Sequence, residues 1–137
     1  MILIIHTADL KKIFIGLIKE DKLIVKKKFF AQYQQAEKLL SAIDKMFQVS
    51  GYKLQDLKGI AVVPGPGPFT ALRIGVATAN ALAWALKIPV VGIKLSEFKN
   101  PEELIKISKQ KIKKIEIGAI VEPFYDQEPN ITLKKQI

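Results

Sequence analysis

The chain has 137 residues, 49% of them hydrophobic, which is enough to bury one core and suits a single domain. It has no cysteine, which excludes a disulfide framework and thiolate metal sites and fits a reducing compartment, so we expect a cytoplasmic protein. Its 22 basic and 13 acidic residues give a net charge of +9, which favours contact with polyanions. Because Arg73 is the only arginine, and specific readers of nucleic acid usually use arginine, we do not expect a sequence-specific reader.

Three apolar runs at the start of the chain predict three strands that form an antiparallel meander. They cover residues 2–7, 13–18 and 23–30 and are separated by polar links. From Gln34 onward the apolar residues follow the spacing of one face of a helix, which should end at Gly51.

The middle of the chain predicts a strand, a helix and another strand. Residues 60–63 form an uninterrupted apolar run, which is typical of a parallel strand buried on both faces. Residues 69–86 are rich in alanine and leucine and predict a helix, and residues 90–93 predict the next strand. Residues 59–86 carry little charge, but prolines and glycines at 64–68 interrupt them, so we expect no membrane-spanning helix.

A further helix is predicted in the last third of the chain. Asn100 is a favourable N-cap, Pro101 suits the first turn, and the two glutamates that follow complement the helix dipole. Lysines accumulate toward Lys114, so this helix should be amphipathic and basic. Residues 115–125 are expected to be extended before a polar tail.

This order of elements predicts an α/β fold, a mixed five-stranded sheet with three antiparallel meander strands and helices packed on it. It is similar to a single lobe of the actin-like, ribonuclease-H-like (ASKHA) fold. We expect residues 1–95 to form this lobe and residues 96–137 to add a helix and an extended C-terminal tail packed on the same domain.

The loop at residues 64–68 is the first candidate site. Gly65 and Gly67 permit a tight backbone path, and the prolines around them make it stiff. Since the loop opens a helix, its backbone amides could hold an anion or a carboxylate of a partner. The glycine spacing is neither a dinucleotide fingerprint nor a P-loop, so these residues leave an anion site and a structural turn equally open.

The whole string from Ala61 to Ile93, AVVPGPGPFTALRIGVATANALAWALKIPVVGI, resembles the GPGSFTGLRIGxATAKGLAxAxGIPxxGV signature of the TsaB (YeaZ) family of tRNA threonylcarbamoyladenosine biosynthesis. The closing segment EPFYDQEPNITLKK also resembles the end of family members, whereas most of the family's second lobe is missing between about residues 96 and 117. We therefore expect a shortened member of this family. The positions of the motif loop and its helix that match in register are Gly65, Pro66, Gly67, Phe69, Thr70, Leu72, Arg73, Ile74, Gly75, Ala77, Thr78, Ala79, Leu82, Ala83, Ile88, Pro89 and Gly92.

The resemblance implies a scaffold subunit of tRNA N6-threonylcarbamoyladenosine (t6A) modification that performs no chemistry and holds no cofactor. Its implied partner is a TsaD-like catalytic subunit, or a second copy of the chain, bound through the helix at 69–86. A TsaE-like ATPase and, indirectly, tRNA are further implied partners. The motif loop residues that the resemblance singles out are Gly65, Pro66, Gly67, Phe69, Thr70 and Arg73.

The helix at 69–86 suggests a partner independently of the family. Between Ile74 and Leu86 only two residues are polar, and a helix that is apolar on all sides is usually buried. Small residues recur every four positions along it and would allow another helix to approach closely. We expect interface contacts at Gly75, Ala79, Leu82 and Ala83, and Trp84 is a further contact candidate, for which a place in the core is the alternative. The helix after Asn100 could instead cover this surface.

Catalysis by this chain is not expected. It has one histidine, His6, which stands where actin-like ATPases carry an aspartate on the first strand, and it lacks the HxxxH metal site of the catalytic paralogue. His6 is expected to pack in the core. Two alternatives stay open: a residual nucleotide-binding or glycoprotease-like enzyme that uses the loop Gly65 to Thr70, and a homodimeric interaction module. Arg73 should either brace the loop or pair with a carboxylate of the partner.

Overall fold

The computed structural model describes residues 1–9, 11–30 and 35–125. Within these ranges the chain forms five strands and three α-helices. The strands are β1 (Ile2–His6), β2 (Lys12–Lys19), β3 (Lys22–Phe30), β4 (Gly59–Val63) and β5 (Val90–Gly92). The helices are α1 (Gln35–Ser50), α2 (Phe69–Leu86) and α3 (Pro101–Lys114).

The strands form one mixed sheet in the order β3-β2-β1-β4-β5. The first three pair antiparallel as the predicted meander, while β4 pairs parallel with both β1 and β5. All five residues of β4 are buried, as expected for a strand with neighbours on both sides and helices on both faces. The predicted mixed five-stranded α/β sheet is therefore confirmed.

The two faces of the sheet carry different helices. Side chains alternate along each strand, so Leu3 and Ile5 of β1 face one way and Ile2 and Ile4 the other. The first pair belongs to the larger core cluster, in which α1 and α2 pack on the sheet. The second pair belongs to a smaller cluster that α3 closes through Leu104. The alternative that α3 covers α2 is wrong, because the two helices lie on opposite faces.

The start of α3 follows the predicted capping pattern. The side chain of Asn100 accepts a hydrogen bond from the backbone N–H of Glu103 at 2.8 Å, and Pro101 occupies the first turn. Lysines lie in the last turn, where they offset the negative end of the helix dipole.

The predicted extended segment at residues 115–125 is instead irregular. It contains a turn at Ile117 and Gly118 and forms no strand. No strand pairs with it because its backbone groups bond to α2 and to the loop after β4. The predicted polar tail and the later part of the EPFYDQEPNITLKK resemblance, residues 126–137, lie outside the described residues.

The small residues of α2 face the sheet of the same chain. Gly75, Ala79 and Ala83 are buried in the folded chain, and a β-carbon on Gly75 would collide with the side chain of Thr7, just after β1. The expectation that these three residues contact a partner directly is therefore wrong: their small size lets α2 approach its own sheet. Leu82, the fourth candidate, is half-buried.

Among the described helices, α2 is the one that is long and apolar enough to cross a membrane, by length and composition alone. The core helix of a globular protein meets the same criterion, and α2 packs along β4 and against α1.

Gly75→Ala is expected to lower the free energy of unfolding by about 1–3 kcal/mol, because the new methyl group would collide with the fully buried Thr7. At an unconstrained helix position the same change is stabilising, since alanine has the higher helix propensity. Denaturant unfolding of the two proteins measures the difference.

The control is the double variant Thr7→Ala with Gly75→Ala, which removes the two nearest of the three atoms that the methyl group meets and leaves the β-carbon of residue 7 at 3.2 Å. It also removes a buried hydroxyl that has no hydrogen-bond partner among the described residues. We expect it to recover most of the lost stability. An unchanged or raised stability in Gly75→Ala alone would show that α2 does not approach the sheet this closely.

Candidate functional site

The motif loop between β4 and α2 packs backbone against backbone. A β-carbon on Gly67 would lie 2.5 Å from the carbonyl oxygen of Ala8. Gly65 has a φ of +137°, and a β-carbon there would collide with the carbonyl oxygen of Phe124. Both glycines are therefore needed for close approach by other parts of the chain.

The carbonyl groups of the loop are used within the chain. The Pro64 oxygen accepts a hydrogen bond from the Phe124 N–H at 2.8 Å, and the Gly65 oxygen accepts one from the Leu95 N–H at 3.1 Å. These bonds hold the loop to the segments before and after α3. The geometry thus supports a structural role for the loop. These bonds use its carbonyl groups and not the amide groups on which the anion alternative depends.

Arg73 and Phe69, on the first turns of α2, hold the C-terminal segment. The Arg73 Nε–H donates a hydrogen bond to the Tyr125 hydroxyl at 3.2 Å, and the ring of Phe69 lies 4.4 Å from the ring of Tyr125. Arg73 therefore braces this segment rather than the loop itself. No local pattern in the sequence predicts this contact, and the family resemblance of the closing segment is the one indication of Tyr125.

Asn80 fixes the same segment farther along α2. Its side-chain NH₂ donates to the Val121 carbonyl at 2.8 Å, and its side-chain oxygen accepts from the Val121 N–H at 3.0 Å. This pair of bonds explains one of the few polar residues in a mostly apolar helix. The sequence shows that Asn80 is polar, but no local pattern in it indicates the partner.

The outward side of α2 is exposed, and we call its seven exposed residues the α2 surface. They are Phe69, Thr70, Arg73, Ala77, Ala81, Trp84 and Ala85. Trp84 is 83% exposed, so of the two places that the sequence left open for it, core and interface, the core is excluded. Arg73 is the one charged residue of the α2 surface. Neighbouring α1 adds two exposed apolar side chains, Leu40 and Val49.

His6 ends β1 on the other face of the sheet, next to a cavity. Its Nδ1 accepts a hydrogen bond from the Ala8 N–H at 3.2 Å, so the neutral ring carries its proton on Nε2. Its ring meets the Phe98 ring edge-on, with centroids 6.3 Å apart. Burial lowers the pKa of His6 below its ordinary value of 6.5, Asp9 opposes this and Lys28 adds to it. His6 is thus neutral near neutral pH.

Metal ligation finds no support in the described ranges. Nowhere in residues 1–9, 11–30 and 37–125 do three histidine, cysteine, aspartate or glutamate side chains come together.

The model of the family "TsaD: tRNA N6-adenosine threonylcarbamoyltransferase" matches residues 29–98, which is just over half of the chain and includes the motif loop and α2. The chain belongs to this family. A tRNA N6-adenosine threonylcarbamoyltransferase of Geotalea uraniireducens is 40% identical over 63 residues, which are 46% of this chain and 18% of that protein.

The chain is also a homologue of TsaB (YeaZ) proteins, as the motif predicted. The tRNA threonylcarbamoyladenosine biosynthesis protein TsaB of Bacillus subtilis is 33% identical over 79 residues, 58% of this chain and 34% of that protein. The solved structure of YeaZ from Pseudomonas aeruginosa superposes with a TM-score of 0.63 at 26% identity, covering 68% of this chain and 43% of that one. The predicted actin-like fold is thereby confirmed. The chain spans less than half the length of each of these relatives.

Asn80→Ala should release Val121. It removes two hydrogen bonds, each worth about 0.5–1.5 kcal/mol, so we expect the Val121 amide to exchange its hydrogen roughly ten- to a hundredfold faster. Thr78→Ala is the matched control on the same helix, since Thr78 makes no side-chain hydrogen bond within the described ranges. Mass-spectrometric or NMR hydrogen exchange measures both, and equal rates in the two variants would contradict the anchoring role of Asn80.

The pKa of His6 can be read without ambiguity, because it is the only histidine. We expect an NMR titration to place it below 6.5, with Lys28→Gln raising it and Asp9→Asn lowering it. Since the folded-state pKa is depressed, the stability that neutral His6 contributes is present above pH 6.5 and is lost as the pH falls through the folded-state pKa.

Lys53→Gln is the control for these shifts, since Lys53 is exposed and is not among the charges that act on His6. A pKa at or above 6.5 in the unaltered protein would show that the ring is not buried as described.

Proposed function

We propose that this chain is a non-catalytic subunit that binds a TsaD-like catalytic subunit for t6A modification of tRNA. The observation that carries the proposal is the exposed, almost uncharged side of α2 within the part of the chain that matches the family. The family match and the TsaB homology support a place in this pathway. A TsaE-like ATPase as a further partner and a cytoplasmic location belong to the same proposal.

The α2 surface has the chemistry of a protein interface. Tryptophan and arginine are the residues that most often dominate binding energy, and the α2 surface holds one of each, Trp84 and Arg73. Three exposed alanines lie between and beside them, and such small side chains let a partner helix pack at short distance.

The small residues that the sequence pointed to act indirectly in this proposal. Because Gly75, Ala79 and Ala83 seat α2 on its own sheet, they set the orientation in which Trp84 and Phe69 face outward. These three small residues position the interface, whereas the residues of the α2 surface contact the partner.

A second copy of the chain is the alternative occupant, since it would use the same apolar surface. A residual enzyme at the loop Gly65 to Thr70 is less well supported, because the carbonyls of Pro64 and Gly65 and the space next to both glycines are taken by the chain itself. The single histidine, already bonded through Nδ1, offers no pair of groups for acid and base catalysis.

The double variant Ala81→Glu with Trp84→Glu should abolish assembly with the TsaD homologue of the same organism. It removes the exposed indole and places two carboxylates in an apolar interface, which should weaken binding by at least about thirtyfold. Light scattering of the co-expressed and purified proteins gives the mass of the complex. We expect a stable mixed complex for the unaltered chain and separate components for the variant.

The matched control is Phe30→Glu with Gln55→Glu, which also removes an exposed aromatic ring and changes the charge by the same amount, away from α2. The control should assemble normally. Loss of assembly in both double variants, or in neither, would refute the assignment of the α2 surface. A homodimer of the unaltered chain with no mixed complex would refute the TsaD role and support the homodimeric module.

A further inference from the structure

A cavity of about 270 Å³ lies beside the end of β1, on the face of the sheet that α3 partly covers. It is therefore separate from the α2 surface, which lies on the opposite side of the sheet. The side chains that give it its chemistry come from three strands and from the segment that leads into α3. They are His6, Lys12, Phe14, Lys28, Phe98 and Lys99.

The floor of the cavity is fixed by strand register. His6 of β1 pairs with Phe14 of β2, and Phe14 pairs with Lys28 of β3. Directly paired residues share one face of a sheet, so these three side chains form a row across three strands. Phe98 closes the row from the other side, with its ring edge-on to His6. The cavity is thus built mainly on regular secondary structure.

Positive charge in the cavity is only partly neutralised within the described part of the chain, by Asp9. Three lysines line it, and Asp9 is the one acidic residue in the lining. The Asp9 carboxylate accepts hydrogen bonds from the backbone N–H groups of Lys11 and Lys12, at 2.9 and 3.1 Å. The two ion pairs in the described ranges involve other lysines, on α3. An anion could therefore bind without displacing an existing ion pair.

The basic and aromatic surface continues beyond the cavity along β3. Lys26 and Phe30 stand two residues to either side of Lys28 and so share its face. Phe30 is 64% exposed, and the Lys12 ammonium lies 5.4 Å from its ring centre. A single small anion would leave this extension unused, whereas a chain of phosphates would follow it.

We propose that this surface binds single-stranded RNA, with backbone phosphates at the lysines and one unstacked base in the cavity against the phenylalanine rings. Single-stranded nucleic acids are held in this way, by cationic grooves that follow the phosphates and by aromatic rings that receive bases. A base within a duplex is paired and stacked and cannot enter such a cavity. This inference rests on the proposed function, which makes tRNA the source of the strand. It deepens that function by assigning a surface of this chain that would contact the tRNA.

Fluorescence anisotropy with a labelled single-stranded RNA heptamer and the full chain tests the proposal without the catalytic partner. We expect the heptamer to bind at least tenfold more tightly than the same sequence in a duplex. Lys28→Gln with Lys99→Gln should weaken binding at least tenfold. It should also reduce the slope of log K against log salt by about 1.4, since each lost phosphate contact on a single strand removes roughly 0.7.

Lys53→Gln with Lys58→Gln is the matched control, with the same change of net charge at exposed positions between α1 and β4. Binding should change less than twofold in this control. An equal loss in both double variants would overturn the site in favour of general electrostatic attraction, and absence of binding would overturn it outright.

A competition measurement distinguishes an RNA strand from a single nucleotide. If AMP displaces the labelled heptamer as well as unlabelled heptamer does at equal nucleotide concentration, the ligand is not an RNA strand and the proposal is overturned. No partner subunit is present in this measurement. Absence of RNA binding is therefore distinguishable from absence of assembly through the α2 surface.

Discussion

The distance at which α2 packs on the sheet is the constraint that determines the surfaces of this molecule. Gly75 sits directly against Thr7, and the alanines one and two turns farther along are buried on the same side. Larger residues on this side would lift the helix from β4 and expose the strand beneath it. With the small residues inward, the larger Phe69 and Trp84 remain on the outside, so internal packing and the external apolar surface have one cause.

The C-terminal segment depends on the same placement of α2. Asn80 and Arg73 each reach residues more than 40 positions later in the chain, and their hydrogen bonds require the helix to lie where the small residues put it. The motif loop connects α2 to the C-terminal segment. Gly65 leaves room for the backbone of Phe124, and the Phe124 N–H donates a hydrogen bond to the Pro64 carbonyl. The two glycines of the motif are thus explained by contacts inside the chain. A substitution that displaces α2, the motif loop or the C-terminal segment should therefore also displace the other two.

The elements could be predicted from the sequence, whereas several orientations could not. Strands and helices follow from local patterns, such as the run at 60–63 and the cap at Asn100, which act over a few residues. Because α2 is apolar on nearly all sides, its periodicity does not determine which side faces the sheet, and a row of small residues fits a partner helix as well as the chain's own sheet. The contact of Arg73 with Tyr125 and the row of His6, Phe14 and Lys28 depend on long-range packing and strand register, which no local pattern determines.

The separation of two surfaces on opposite sides of one sheet gives the two proposals a common physical reason. The apolar α2 surface can bind a protein without occupying the RNA site. The lysine-lined surface can attract RNA without the bound protein partner blocking it, because that partner lies on the other side of the sheet. The one arginine, which could have formed a bidentate contact to a base, lies on the α2 surface and is hydrogen-bonded to Tyr125. The basic surface therefore offers lysines and aromatic rings, which hold phosphates and bases with little regard to sequence. In a complex built this way, the choice of the adenosine to be modified would belong to the catalytic partner, while this chain would contribute affinity for the strand.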